Sequence, residues 1–270
     1  MSRWWPERLL PTRLRVGLAP AQLLLVRHAR GFKSRQVSRE MLPLTQEAGA
    51  LPWQAPLAAL RGVLAKETRG TRVEVVLSQR FTRHALLPWS GELRGAAEWL
   101  AFAQHRFRVT HGAAAAEWDI CIAREAAGAP RLACAIDRAL LAALRETCAA
   151  AKVRLASVQP FLASAYNRAR DGLKEEDLWF AIVEEGRMTL GLLRKKHWTL
   201  LRTRNLAGDT SIEDLVEREA ALAGISAKGK IVYVGAPLPA RNLPSPGRIQ
   251  DRTLRAGDPL DLRAFAMVLA

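Results

Sequence analysis

Apolar positions from Leu14 to Arg27, LRVGLAPAQLLLVR, predict a strand, a tight turn at Ala19-Pro20 and a second strand, and RQVSREMLPL adds a third. The pattern then changes period. In APLAALRGVLAKETRG, Leu57, Leu60, Val63 and Leu64 fall on one helical face, with Gly70 where a helix-ending glycine belongs. TRVEVVLS follows as a buried strand. More than a hundred residues later the order returns. DLWFAIVEEGRMTLGLL is two apolar strands around Glu184-Glu185-Gly186-Arg187, and Trp198 to Arg202 is a third. TSIEDLVEREAALAGIS is a helix with a capping box at Ser211 and Asp214, an apolar face of Ile212, Leu215, Val216, Glu219 and Leu222, and an end at Gly224. KGKIVYVGAP closes the copy as a buried strand. A repeated three-strand meander, helix and strand predicts an α/β protein of two similar lobes.

Between the copies the pattern is different. RFTRHALLPW reads as a strand and GELRGAAEWLAFAQHRF as a helix with Leu93, Ala96, Ala97, Leu100 and Ala103 on one side. EWDICIA and RLACAID are two strands joined by a glycine turn. A helix RALLAALRETCAAA, a strand KVRLASVQP and a helix FLASAYNRAR then lead to the second copy. The predicted organisation is an N-terminal extension over 1–12, a first lobe over 13–79, an inserted subdomain over 80–137, completion of the first lobe over 138–170 and a second lobe over 171–270.

Composition narrows the function classes. With 270 residues, 49% of them hydrophobic, the chain can build a large core. Lys and Arg number 41 against 26 Asp and Glu, an excess spread along the whole sequence rather than held in one arm. Such a charge suits a polyanion or an anionic membrane surface, yet no arginine-rich arm, helix-turn-helix or base-stacking aromatic motif accompanies it, which disfavours nucleic acid. Cys121, Cys134 and Cys148 are odd in number without CxxC spacing, so neither a disulfide framework nor a zinc site is expected. No run approaches the roughly 18 apolar residues of a membrane helix, and MSRWWPERLLPTRLR has no signal-peptide core. A soluble chain in a reducing cytosol is expected.

Other chemistry is sparse. GISAKGK, Gly224 to Lys230, has phosphate-loop spacing, but Ile231 replaces the hydroxyl residue and the order is helix-loop-strand instead of strand-loop-helix. His28, His84, His105, His111 and His197 show no metal-binding spacing, and Ser78, Ser157 and Ser164 lie outside any GxSxG context. No metal and no catalytic residue is expected. Eight tryptophans are mostly core anchors. Trp89, between Pro88 and Gly91 at a strand-to-helix corner, is the one best placed to meet a partner.

The stretches LRVGLAPAQLLLVRH, VVLSQRFTRHALLPWSGELRGAAEWLAFAQHRFRV, AIDRALLAALRETCAAAKVRLASVQPFLASAY and LWFAIVEEGRMTLGLL, spanning about Leu14 to Val234, resemble the actin-like, ribonuclease-H-like ATPase fold. Within it they are most similar to the type IV pilus assembly PilM family and the cytoplasmic domain of the type II secretion protein L family. The resemblance implies duplicated lobes with an inserted strand-helix-strand-strand subdomain. It also implies a cytoplasmic scaffold at the inner-membrane face that binds a short cytoplasmic segment of a membrane partner through the region from Arg80 to Asp137, with Arg83, Trp89 and Trp99 as contact candidates. Homo-oligomerisation and peripheral membrane association are compatible with it.

In the nucleotide-binding members the first hairpin resembles Asp-x-Gly followed by hydroxyl and basic residues, whose backbone N–H groups meet phosphate while the Asp positions magnesium. Here Gly17 to Gln22 offers no carboxylate, and Pro20 has no N–H. The second hairpin offers Glu184 and Gly186, and the adenosine-side turn keeps Gly235 but follows it with Ala236 and Pro237. Those three residues are the only nucleotide-binding candidates, no cofactor is expected, and an ATP-binding ATPase and a basic nucleic-acid-binding protein remain the alternatives.

Overall fold

The computed structural model of the chain describes residues 13–29, 35–206, 211–235, 248–253 and 260–269. They form two compact units, one of residues up to Phe81 with Ala139–Pro160, the other of Thr82–Arg138 with Phe161 onward.

In the first unit β1 (Arg13–Ala19) and β2 (Gln22–Ala29) form the first hairpin, β3 (Arg35–Pro43) pairs with β2, and α1 (Gln54–Leu64) leads to β4 (Arg72–Leu77), which runs parallel to β1. Period-two alternation puts Leu14, Val16 and Leu18 wholly in the core. α1 buries Leu57, Leu60, Val63 and Leu64, the predicted face. It ends well before Gly70, contrary to expectation. Gly70 instead donates its N–H to the carbonyl of Lys152 at 2.9 Å.

The inserted piece is β5 (Thr82–Leu87), α2 (Ala96–His111), β6 (Trp118–Ile122) and β7 (Arg131–Asp137), a three-stranded antiparallel sheet in the order β5-β7-β6. The buried residues of α2 are Trp99, Ala103 and Phe107, spaced four apart, whereas Leu100 is exposed. The predicted face of this helix is therefore displaced. Large aromatic side chains fix which side of a helix is buried, and the alanines that defined the expected stripe have little area to bury.

After α3 (Arg138–Ala150), strand β8 (Arg154–Pro160) completes the first sheet as β3-β2-β1-β4-β8. The second unit continues with α4 (Phe161–Ala169), β9 (Asp177–Glu184), β10 (Arg187–Arg194), β11 (His197–Asn205), α5 (Ile212–Leu222), β12 (Lys230–Gly235), β13 (Ile249–Asp251) and α6 (Ala266–Leu269). Its sheet has the order β11-β10-β9-β12-β13, the same permutation as the first. Three antiparallel strands followed by two parallel ones occur twice, so the duplication legible in sequence is a duplication of topology.

The core of this second sheet gathers Trp179, Leu190, Leu192, Val216 and Tyr233 against α5. Each such large side chain contributes about 1.5–3 kcal/mol on burial. Ser211 Oγ accepts the N–H of Asp214 at 3.0 Å and Asp214 Oδ2 accepts the N–H of Ser211 at 3.2 Å, the predicted capping box. Leu222, expected on the buried face of α5, is 69% exposed.

Candidate functional site

The first hairpin turn consists of Pro20 and Ala21, with Ala19 paired to Gln22. Both of its carbonyls accept hydrogen bonds from the segment after β3. The Leu44 N–H donates to Ala21 O at 2.8 Å, and Gln46 Nε2 donates to Pro20 O at 2.7 Å and to Pro52 O at 3.1 Å. A phosphate cradle needs convergent N–H donors. This turn instead presents carbonyl oxygens, one covered by the Gln46 side-chain amide and the other by the Leu44 N–H, so it is closed by the chain's own atoms.

Glu184 ends β9, Gly186 lies in the turn before β10, and Gly235 ends β12, standing opposite Val183 of β9. Each glycine has a local structural reason. Gly186 has φ +66°, as the tight turn requires, and its carbonyl accepts the Leu206 N–H at 3.1 Å. At Gly235, φ is +151° and a Cβ would stand 2.1 Å from Val183 O. Its N–H donates to the buried Thr253 Oγ1 at 3.1 Å. Thr189, three residues past Gly186 on β10, is wholly buried and shares a 2.9 Å hydrogen bond with Thr203 across the ladder. Ala236 and Pro237 lie outside the described residues. Among the described residues, no group of three or more His, Cys, Asp or Glu side chains is placed to hold a metal ion.

The loop with phosphate-loop spacing lines a surface cavity of about 500 Å³ with Glu217, Lys228 and Arg248. The Arg248 guanidinium is already engaged by Glu213 and by the carbonyl of Ala227. Its charge is neutralised within the protein.

The three partner-contact candidates on the inserted sheet separate. Trp89 is 45% exposed, its ring edge over Gly91, where a Cβ would lie 3.2 Å from Cη2. Arg83 lies near the start of β5 and Trp89 beyond its end, so β5 holds them apart. Trp99 is 3% exposed in the core of this sheet. Its Nε1 donates to Leu93 O at 3.0 Å, and the Arg131 guanidinium lies 4.2 Å above its ring. Trp99 is thus an anchor of the inserted sheet and offers no accessible ring, which corrects its expected role in contact.

Sequence reading assigned nothing to the inserted sheet's other face. His84, Cys134 and Cys121 form one cross-strand row there. The His84 Nε2 is shut off from solvent, and burial, with the charges of Arg187 and Arg83, pushes the His84 pKa down to about 4. Burial and the neighbouring Cys121 push the Cys134 thiol up to about 12. His197 Nδ1 and Glu125 Oε2 are 3.1 Å apart, joining the β6–β7 connection to the start of β11. Period-two pairing could have revealed the His84–Cys134–Cys121 row in the sequence, but only with the register known.

No family model and no curated protein matches the chain. Solved structures do. A chain of the PilM-PilN type IV pilus biogenesis complex matches with a TM-score of 0.61 at 14% identity, covering 97% of this chain and 97% of that one. The cytoplasmic domain of EpsL, an inner membrane component of the type II secretion system of Vibrio cholerae, matches at 0.57 and 12%, covering 96% and 93%. A protein of unknown function with an actin-like ATPase fold from Bacteroides thetaiotaomicron matches at 0.56 and 10%, covering 84% and 83%. The chain therefore has the actin-like ATPase fold, in two ribonuclease-H-like sheets of identical strand order, with a three-stranded subdomain inserted in the chain between β4 and β8 of the first.

Proposed function

We propose that the chain is a non-catalytic scaffold at the cytoplasmic face of an inner-membrane platform of the pilus-assembly or type II secretion kind. In this reading it captures a short cytoplasmic segment of a membrane partner on the inserted subdomain, with Trp89 as the aromatic anchor and Arg83 as a second, separate contact. The observation that carries it is the closed first turn. In a fold whose phosphate chemistry depends on that turn, Pro20 removes a donor, the turn from Gly17 to Gln22 carries no carboxylate, and its carbonyls are taken by Gln46 at Pro20 and by the Leu44 N–H at Ala21. A chain keeping the fold without the cradle retains surfaces rather than catalysis. The neighbours named for pilus biogenesis and type II secretion support the setting, and the absence of a membrane-length apolar helix among the described residues is compatible with it.

The test has two arms. Immobilised chain is exposed to detergent-solubilised membranes of its own cell, and captured proteins are identified by mass spectrometry. The expected outcome is a single-span membrane protein retained by the wild type and reduced about tenfold or more by Trp89→Ala, since a buried aromatic hot spot is worth about 2 kcal/mol or more. Capture unaffected by Trp89→Ala would remove the anchor. Calorimetry with ATP and magnesium should give no saturable heat in the micromolar range, and such binding would favour the ATPase reading with Glu184 and Gly186 at the nucleotide.

A further inference from the structure

Each of the three sheets has two edge strands among the described residues, and all but one of these edges carry features that discourage pairing with another chain. β3 carries Arg39 and Glu40 and ends at Pro43, and β8 begins at Arg154 and ends at Pro160. β11 carries Arg202 and Arg204, β13 has three residues, and β5 carries Arg83 and His84. Basic side chains, proline and shortness all blunt an edge. β6 has none of them. Its five residues are Trp118, Asp119, Ile120, Cys121 and Ile122, and the one charge among them, Asp119, is taken by Arg138 at 3.3 Å.

The ladder with β7 fixes which backbone groups of β6 point outward. Ala123 donates its N–H to Leu132 O at 2.8 Å, so Ala123, Cys121 and Asp119 turn their peptide groups toward β7 and the alternate residues turn theirs away. The Trp118 N–H is used by Ala115 O. The Trp118 carbonyl and both backbone groups of Ile120 and Ile122 therefore line the outer edge. Side chains follow the same alternation. Trp118, Ile120 and Ile122 pack, partly buried, on the core beneath α2, while Asp119 and the exposed Cys121 occupy the opposite face.

A strand that completes this edge must bring apolar side chains beside Trp118, Ile120 and Ile122 and no carboxylate opposite Asp119. β6 of a second copy meets both conditions. In an antiparallel pair centred on Ile120, the two Ile120 side chains meet, Trp118 faces Ile122 of the other copy, and Asp119 faces the uncharged Cys121. Moving the centre to Asp119 would oppose two carboxylates, and moving it to Cys121 would set Trp118 against Arg124. In the Ile120 register the two Ile120 residues exchange N–H···O bonds, and each Ile122 N–H reaches the other copy's Trp118 carbonyl. We propose that the chain self-associates through β6, joining two inserted sheets into one continuous antiparallel sheet with both α2 helices on the same face. Edges of five residues bury less than the roughly 1,200 Å² of a stable complex, so the dimer is weak and concentration-dependent. This goes beyond partner capture, whose contacts Arg83 and Trp89 belong to β5 and the loop after it, at the sheet's other edge, so either can fail alone.

Sedimentation equilibrium of the full chain, with amide hydrogen exchange at rising concentration, tests it. The average mass should climb from monomer toward dimer, and the Ile120 and Ile122 amides should slow together with it. Ile120→Pro keeps the ladder to β7 and removes the N–H at the centre of the pair in both copies. It should raise the dimer dissociation constant about tenfold or more. Asp119→Cys, at an exposed position, reads the register without depending on that variant. It places a thiol opposite Cys121 of the other copy in a closely spaced pair, so aerobic copper phenanthroline should give a covalent dimer that adding Cys121→Ser abolishes. Wild type should give none, and Trp89→Ala should leave the dimer intact. A monomer at every concentration up to about 1 mM, a dimer indifferent to Ile120→Pro, or wild-type cross-linking through its own Cys121 would overturn the proposal.

Discussion

At Gly235 a missing side chain is a requirement of packing. With φ at +151° and Val183 O 2.1 Å from where a Cβ would stand, Gly235→Ala must push β12 off β9. The expected cost is about 2–4 kcal/mol, read as a lower midpoint in chemical denaturation. The sequence shows Gly235 but not its reason, because turn glycines and packing glycines look alike until the neighbouring strand is placed. Trp89 and Trp99 pose the same problem. Both flank the start of α2, yet one is 45% exposed and the other 3%. What separates them is the Leu93 carbonyl that receives the Trp99 indole N–H and the Arg131 side chain on its ring, one supplied by the intervening loop and the other by a strand more than thirty residues onward.

At the scale of elements, the helices were legible, and the buried face was too where the apolar residues are branched or long, but not in the alanine-rich α2. α1 and α5 bury most of the face their spacing predicts, including Glu219. That glutamate is 2% exposed and takes a two-point contact from Arg204 of β11 at 2.6 and 3.1 Å. The pair ties a helix to a strand. Arg204→Met alone should cost about 3 kcal/mol, since it leaves a carboxylate buried with only Arg202 at 3.9 Å. Adding Glu219→Leu should recover most of that loss in the same thermal melt. The succession of three strands, helix and strand along each copy was legible from the repeat, whereas β13 was not. The bounds of α1 and the face of α2 were not, because the first rests on where a turn meets a neighbouring loop and the second on which aromatic finds a core.

For the molecule as a whole, acid stability gathers local charges into one observable. The His84 pKa of about 4 lies below its ordinary 6.5, so between these values the unfolded chain binds a proton that the native chain refuses. Stability therefore falls as pH drops from 6.5 to 4, by up to about 3 kcal/mol. Glu74, whose carboxyl burial would raise but Arg13, Arg15 and Arg72 hold low, contributes stability above the ordinary carboxylate range that is lost as pH falls through its lowered value. Denaturation midpoints measured across this range should show the decline. His84→Gln should flatten the part between pH 6.5 and 4 while leaving the steeper loss below it.

The interleaving of the two compact units also bears on synthesis. β4 is paired on one side by β1, but its other edge is completed only by β8, and the whole inserted sheet lies between them in the chain. At roughly 5–20 residues per second, that edge waits about 4–16 s on the ribosome before its neighbour exists. Val73, Val75 and Leu77 are apolar enough to recruit another nascent chain during that interval. Slow elongation through residues 78–153 thus becomes the hazardous stretch of this protein's life, and a chaperone occupying the open edge of β4 would matter more there than at any later stage.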